Sequence, residues 1–147
     1  MANPMYGQNK SDALIEDVKR VKVRKIMLDF GAQAAGTDAI SSFNKGDVIL
    51  GFSATMTEAM TSGGSATIQL GFTGASMLTA AIAKGSATLG AVLAPVDKGM
   101  LVLAADDTFD SIVGTATATA GKCDIEIWYI ENGAALASDE YAEVVTA

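Results

Sequence analysis

The chain has 147 residues, a formal net charge of −7, a single cysteine and no histidine. That length suits one domain, which buries roughly 68–70% of its unfolded surface and needs no staples to fold. The missing histidine removes the commonest general base, the usual metal ligand and every Ser-His or Cys-His nucleophile pair. The lone Cys123 excludes an intrachain disulfide and the usual zinc sites, and its strand-like setting reads as a small buried hydrophobe.

Charge is unevenly spread. Six of the ten basic residues lie in the first 25 positions, whereas from Gly31 onward thirteen acidic residues face four basic ones. An acidic body repels nucleic acid and keeps copies soluble. No basic-then-apolar leader opens the chain, and no apolar run reaches the ~18 residues of a membrane span. The expectation is a soluble chain made in a reducing cytoplasm, with neither nucleic acid nor membrane as partner. Half the residues are apolar but only 6% are aromatic. Abundant Ala and Gly suit thin layers and close backbone approach better than a deep core.

Residues 1–20 read as an arm. Asn3-Pro4 and Gly7-Gln8-Asn9 favour extended or turn backbone. Ser11 or Asp12 then caps a short helix through Ala13, Leu14, Ile15 and Glu16 to about Lys19, too short to stand alone. Over residues 21–30 the period becomes two, with Val21 and Val23, then Ile26, Leu28 and Phe30, on the apolar side. Lys22 and Arg24 point the other way, and the phase slips near Lys25. Residues 31–44 are small and polar, a loop.

Residues 46–60 predict a longer strand with Val48, Leu50, Phe52, Ala54 and Met56 on one face. Ser62-Gly63-Gly64 is a turn and Ala66, Ile68, Leu70 and Phe72 alternate again, so the pair reads as a hairpin. Residues 75–83 read either way, since Met77, Leu78, Ala81 and Ile82 also fit one or two helical turns. A short apolar run at 100–103 follows. Thr108 to Ala118 alternates around Phe109, Ile112 and Val113 with Thr-rich β propensity. Thr119-Ala120-Gly121-Lys122 reads as a turn. The clearest strand covers residues 123–130, with Ile125, Ile127 and Tyr129 on one face and Asp124, Glu126 and Trp128 on the other. Residues 131–147 read as an acidic tail. The fold class expected is all-β: an antiparallel, jelly-roll-like sandwich over residues 21–130, with an extended N-terminal arm and at most one or two short helices.

Three features invite a functional reading. Asp106, Asp107 and Asp110 suit either a turn whose carboxylates bond local N–H groups or a calcium site, although the spacing is not that of an EF-hand. The basic stretch from Lys19 to Lys25 suits either a protected strand edge or a contact patch for an acidic partner, such as another copy or an assembly surface. Trp128 is either covered on both sheet faces or exposed at an interface, where Trp is enriched.

The opening Met1-Ala2-Asn3-Pro4-Met5-Tyr6-Gly7-Gln8-Asn9-Lys10 resembles the start of small head proteins of tailed phages. Residues 46–130 resemble a recurrent phage head module, through Thr57-Glu58-Ala59, Ala-Thr-Ile-Gln-Leu-Gly at 66–71, Ala105-Asp106-Asp107-Thr108 and Thr119-Ala120-Gly121-Lys122. The chain departs from that pattern at 57–64, where Ala59-Met60-Thr61 stands in place of a frequent Phe-Asp-Gly. The resemblance covers about two thirds of the chain. It implies a capsid decoration (cement) protein, trimeric, on the outside of the virion head, with no catalytic residues and no cofactor. Its partners would be the major capsid protein and further copies of itself. The arm would be the anchor, with Pro4, Met5, Tyr6, Lys19, Arg20, Lys22, Arg24 and Lys25 as contact residues. Rival readings are a head-fibre module stacking host glycans on Trp128 or Tyr129, a tail or connector protein, and a polysaccharide-cleaving enzyme using the three aspartates.

Overall fold

The computed structural model describes residues 21–96 and 100–132. The expected arm and its short helix, and the acidic tail beyond Asn132, lie outside those residues. Among the described residues ten strands follow one another: β1 (Lys22–Asp29), β2 (Gly36–Phe43), β3 (Val48–Ser62), β4 (Thr67–Phe72), β5 (Met77–Leu78), β6 (Ile82–Ala83), β7 (Val92–Leu93), β8 (Leu101–Val102), β9 (Asp107–Gly114) and β10 (Ala118–Ile130). No helix occurs among the described residues. The 75–83 segment that fitted helical spacing instead adds β5 and β6 to one edge of β4.

All pairings are antiparallel. Sheet A runs β1-β10-β3, with β7 and β8 both on the far edge of β3; sheet B runs β2-β9-β4, with β5 and β6 on the far edge of β4. The first four strands alternate between sheets and β9 and β10 cross once more, which makes the sandwich jelly-roll-like. That alternation corrects the expected hairpin. The Ser62-Gly63-Gly64 turn carries the chain from β3 in sheet A to β4 in sheet B, and neither strand pairs with the other. Two apolar alternations joined by a Gly-rich turn fit a corner between sheets as well as a hairpin.

Two further departures have local causes. Residues 36–43, read as loop, form β2, an edge strand held by its ladder to β9 with a bulge between Ala39 and Ser41. One exposed face leaves β2 little need for apolar side chains. The residues read as a turn at 119–122 belong to β10, where register shifts between Ala118 and Cys123 bend the strand. Gly121 sits in that bend at φ 150°, with the Phe30 ring where a Cβ would stand.

Five rings from both sheets fill the middle of the sandwich. Phe52 meets Phe109 at 4.8 Å and Phe72 at 6.3 Å, Phe72 meets Phe109 at 5.4 Å and Phe43 at 5.3 Å, and Phe43 meets Tyr129 at 5.2 Å. Every contact is edge to face, the arrangement aromatic quadrupoles favour. Ile68, Leu70, Ile125 and Ile127 pack around the rings, fully buried. Cys123 is buried too, and burial, with the charge of Asp124 adding, pushes its thiol up to about 12.

Phe109→Ala removes the ring that touches both Phe52 and Phe72, and the expected loss is about 3–5 kcal/mol in urea unfolding. At pH 8 the Cys123 thiolate is roughly three orders of magnitude scarcer than in the unfolded chain. Thiol reagents should therefore label the native protein far more slowly than the urea-unfolded one, and equal rates would contradict the burial.

Candidate interaction surface

β1 is a regular strand. Its ladder to β10 runs without a shift from Lys22 opposite Tyr129 to Asp29 opposite Lys122. The expected phase slip at Lys25 is therefore absent, and the strand is turned over at its start. Arg24, Ile26 and Leu28 alternate on the half-buried side, while Val23, Lys25 and Met27 are exposed.

An arginine points inward because its head group is fully used there. The Arg24 guanidinium lies 3.9 Å from the Phe43 ring centre and 5.0 Å from that of Tyr129. It donates to Ser41 Oγ and to the Ser42 carbonyl, each at 2.7 Å. A guanidinium stacks on aromatic faces and makes several directed hydrogen bonds at once. Arg24 thus joins β1 of sheet A to β2 of sheet B.

The other basic residues of the predicted contact set do not gather around it. Lys22 donates to Glu131, and that hydrogen bond, with the Lys22 charge, holds the Glu131 carboxyl below its usual range. Lys25 is exposed opposite Glu126. Pro4, Met5, Tyr6, Lys19 and Arg20 lie outside the described residues. Asp47, which the sequence did not single out, is buried and fastens the same corner. Its carboxylate accepts from Asn44 N at 2.9 Å and from Asn132 N at 2.7 Å. The described chain therefore starts and ends side by side.

The three aspartates are each hydrogen-bonded, and Thr108 serves two of them. Asp106 accepts from Lys45 N at 2.7 Å and Asp107 from Thr108 N at 2.8 Å. Asp110 is buried, contrary to a wholly solvated turn, and accepts from Thr73 Oγ1 at 2.6 Å and Thr108 Oγ1 at 2.5 Å. Among the described residues no three His, Cys, Asp or Glu side chains converge as a metal site.

The outer face of sheet A carries the exposed apolar surface. A bulge beside Leu50 sets Tyr129 opposite Ile49 but Trp128 opposite Gly51. It buries Ile49 and leaves Val48 half-buried, whereas the sequence put Val48 and Leu50 on the core face. Val48 then lies between Ile130 and Val102. Half-buried Trp128 lies between Val23 and Gly51. Exposed large apolar side chains cluster at both margins of this sheet: Val21, Val23 and Met27 at β1, and Leu89, Val92, Val96, Met100 and Val102 on the segment carrying β7 and β8. A shallow depression between β1 and β10 is lined by Lys25, Met27, Asp124 and Glu126.

No family model and no curated protein matches the chain. Solved structures share the fold, among them chains of two phage capsids. One is a chain of the acid-stable capsid of Helicobacter pylori bacteriophage KHP30, with a TM-score of 0.54 and 10% identity over 74% of this chain and 86% of that one. The other belongs to the capsid asymmetric unit of cyanophage Pam1, with a TM-score of 0.57 and 14% identity over 76% of this chain and 85% of that one. At such identities the likeness shows a common sandwich fold.

Arg24→Ala should cost about 2–3 kcal/mol in chemical unfolding, because a charged donor to two acceptors is lost. Lys25→Ala, on the exposed side, should stay within about 0.5 kcal/mol. Equal effects would show that the ring and hydroxyl contacts of Arg24 add nothing.

Proposed function

We propose that this protein is a non-enzymatic structural component of a tailed-phage virion, which binds the outer surface of the capsid shell and decorates and stabilises it as a trimer. One observation carries the reading. The sandwich is similar over 85–86% of their length to chains found in two phage capsids. The resemblance of the N-terminal residues and of residues 46–130 to phage head proteins supports the same reading independently.

The physics of the chain suits such a role. The ring core and the hydrogen-bonded aspartates make a firmly packed body. The arm, residues 1–20, precedes β1 in the chain. Pro4, Met5, Tyr6, Lys19 and Arg20 lie in that arm, with Lys25 on the exposed side of the strand that follows. A short arm orders on the surface it meets at an entropic cost, and several arms on one oligomer offset that cost by avidity. The major capsid protein is the partner and the capsid exterior the place.

Added to empty heads of the phage that encodes it, the full-length protein should co-sediment at a fixed number of copies per shell. Deleting residues 1–20 should leave a folded body that stays in the supernatant. No binding by the full chain would overturn the decoration reading, and full binding by the truncated chain would overturn the anchoring role of the arm.

A further inference from the structure

The apolar side chains on sheet A are placed by height as well as by margin. Strand register defines levels across the sheet. Met27 is level with Asp124, Thr55 and Val92, so the exposed apolar residues at the two margins stand at the same height there. Toward the other end, Val23 is level with Trp128 and Gly51, two residues along from the level of Ile130, Val48 and Val102, with Tyr129, Ile49 and Leu101 between. Met27 is 89% exposed, Val92 66% and Val102 61%.

Rotation about an axis parallel to the strands moves a residue round the axis without changing its height. A copy so rotated brings its β7–β8 margin to the β1 margin of its neighbour with Met27 facing Val92, while Val23 stands about 7 Å in height from Val102. Different margins meeting in this way form a heterologous contact, which either closes into a ring or runs on as a chain. β1 adds a second reason for a cover. It is eight residues long, without a bulge or a proline, and among the described residues it pairs on one side only. Lys22 and Lys25 guard this edge against random pairing, but Val23 and Met27 on the same strand stay exposed.

We propose that the outer face of sheet A is where copies of this chain meet. Three A sheets stand as the sides of a triangular prism, outer faces toward the axis, with β1 of each copy against β7 and β8 of the next. The inference rests on the trimeric reading above and names the surface that makes the trimer. The arrangement covers both apolar margins with one kind of contact and turns Trp128 and Val48 toward the interior. Lys25 and Lys122 share the outer face with Asp29, Glu58, Asp124 and Glu126, so both signs meet toward the axis, and Lys122 lies 3.9 Å from Glu58.

Mass measurement of the full-length protein in solution, together with cross-linking of cysteine variants by a short bismaleimide, tests this. Met27→Cys and Val92→Cys replace exposed side chains, and circular dichroism checks that each variant keeps the fold. The wild type should have the mass of three copies. The double variant should give covalent dimers and trimers and nothing larger, the single variants should give none, and a mixture of the two single variants should give dimers. A trimer whose double variant does not cross-link would overturn the surface and leave the trimeric reading standing. A wild type of any other mass would overturn both. Dimers from one single variant alone would show a two-fold contact, and products beyond three copies would show an open chain; each overturns the prism.

Discussion

The sandwich depends on five rings meeting edge to face between its sheets. Small residues dominate this chain, and two thin sheets of Ala, Gly, Ser and Thr have little to hold them about 10 Å apart. Phe43, Phe72 and Phe109 come from sheet B, and Phe52 and Tyr129 from sheet A. Each ring touches at least one other. Four of the five phenylalanines are spent on this cluster. The fifth, Phe30, closes the end of the sandwich over Gly121. A chain with so few aromatics has placed nearly all its bulk where the layers must be kept apart and in register.

The same cluster explains the inversion of β1. A strand that begins Lys-Val-Arg ought to turn its valine inward. It turns Arg24 inward because Phe43 and Tyr129 offer ring faces while Ser41 and Ser42 offer oxygens. Val23 is displaced to the outside as a result. Beside it the bulge at Leu50 does likewise for Val48. The β1 side of the apolar outer face, and Val48 beside the strand of Trp128, thus arise from two local decisions of the backbone.

Those decisions mark the limit of what the sequence discloses. Regular alternation was legible wherever one face is wholly core. In β4 Ile68, Leu70 and Phe72 are buried, and in β10 Ile125, Ile127 and Tyr129 are. The all-β sandwich followed from these strands. Bulges were not legible, because an extra residue changes which side chains share a face without changing composition. Partnership between strands was not legible either: a Gly-rich corner reads the same whether it joins neighbours or opposite sheets. β2 was missed because an edge strand with an exposed face has no apolar signature. Of the residues considered for binding, Trp128 was visible from its place opposite the core face. Asp47 and the turned-over Arg24 carried no signal at all, since each acquires its role from partners far away in the chain.

The corner fastened by Lys22, Glu131 and Asp47 has a mechanical consequence. Lys22 at the start of β1 lies opposite Tyr129 near the end of β10, so the two strands present their ends to the outside at one point. Tension that draws those ends apart acts across the ladder and opens it pair by pair, beginning at the ion pair, like a zip. Tension applied to both ends together loads the body as a whole and leaves the ladder closed. The direction of pull, and not the strength of any one bond, thus decides whether this domain yields at its seam or holds as a unit.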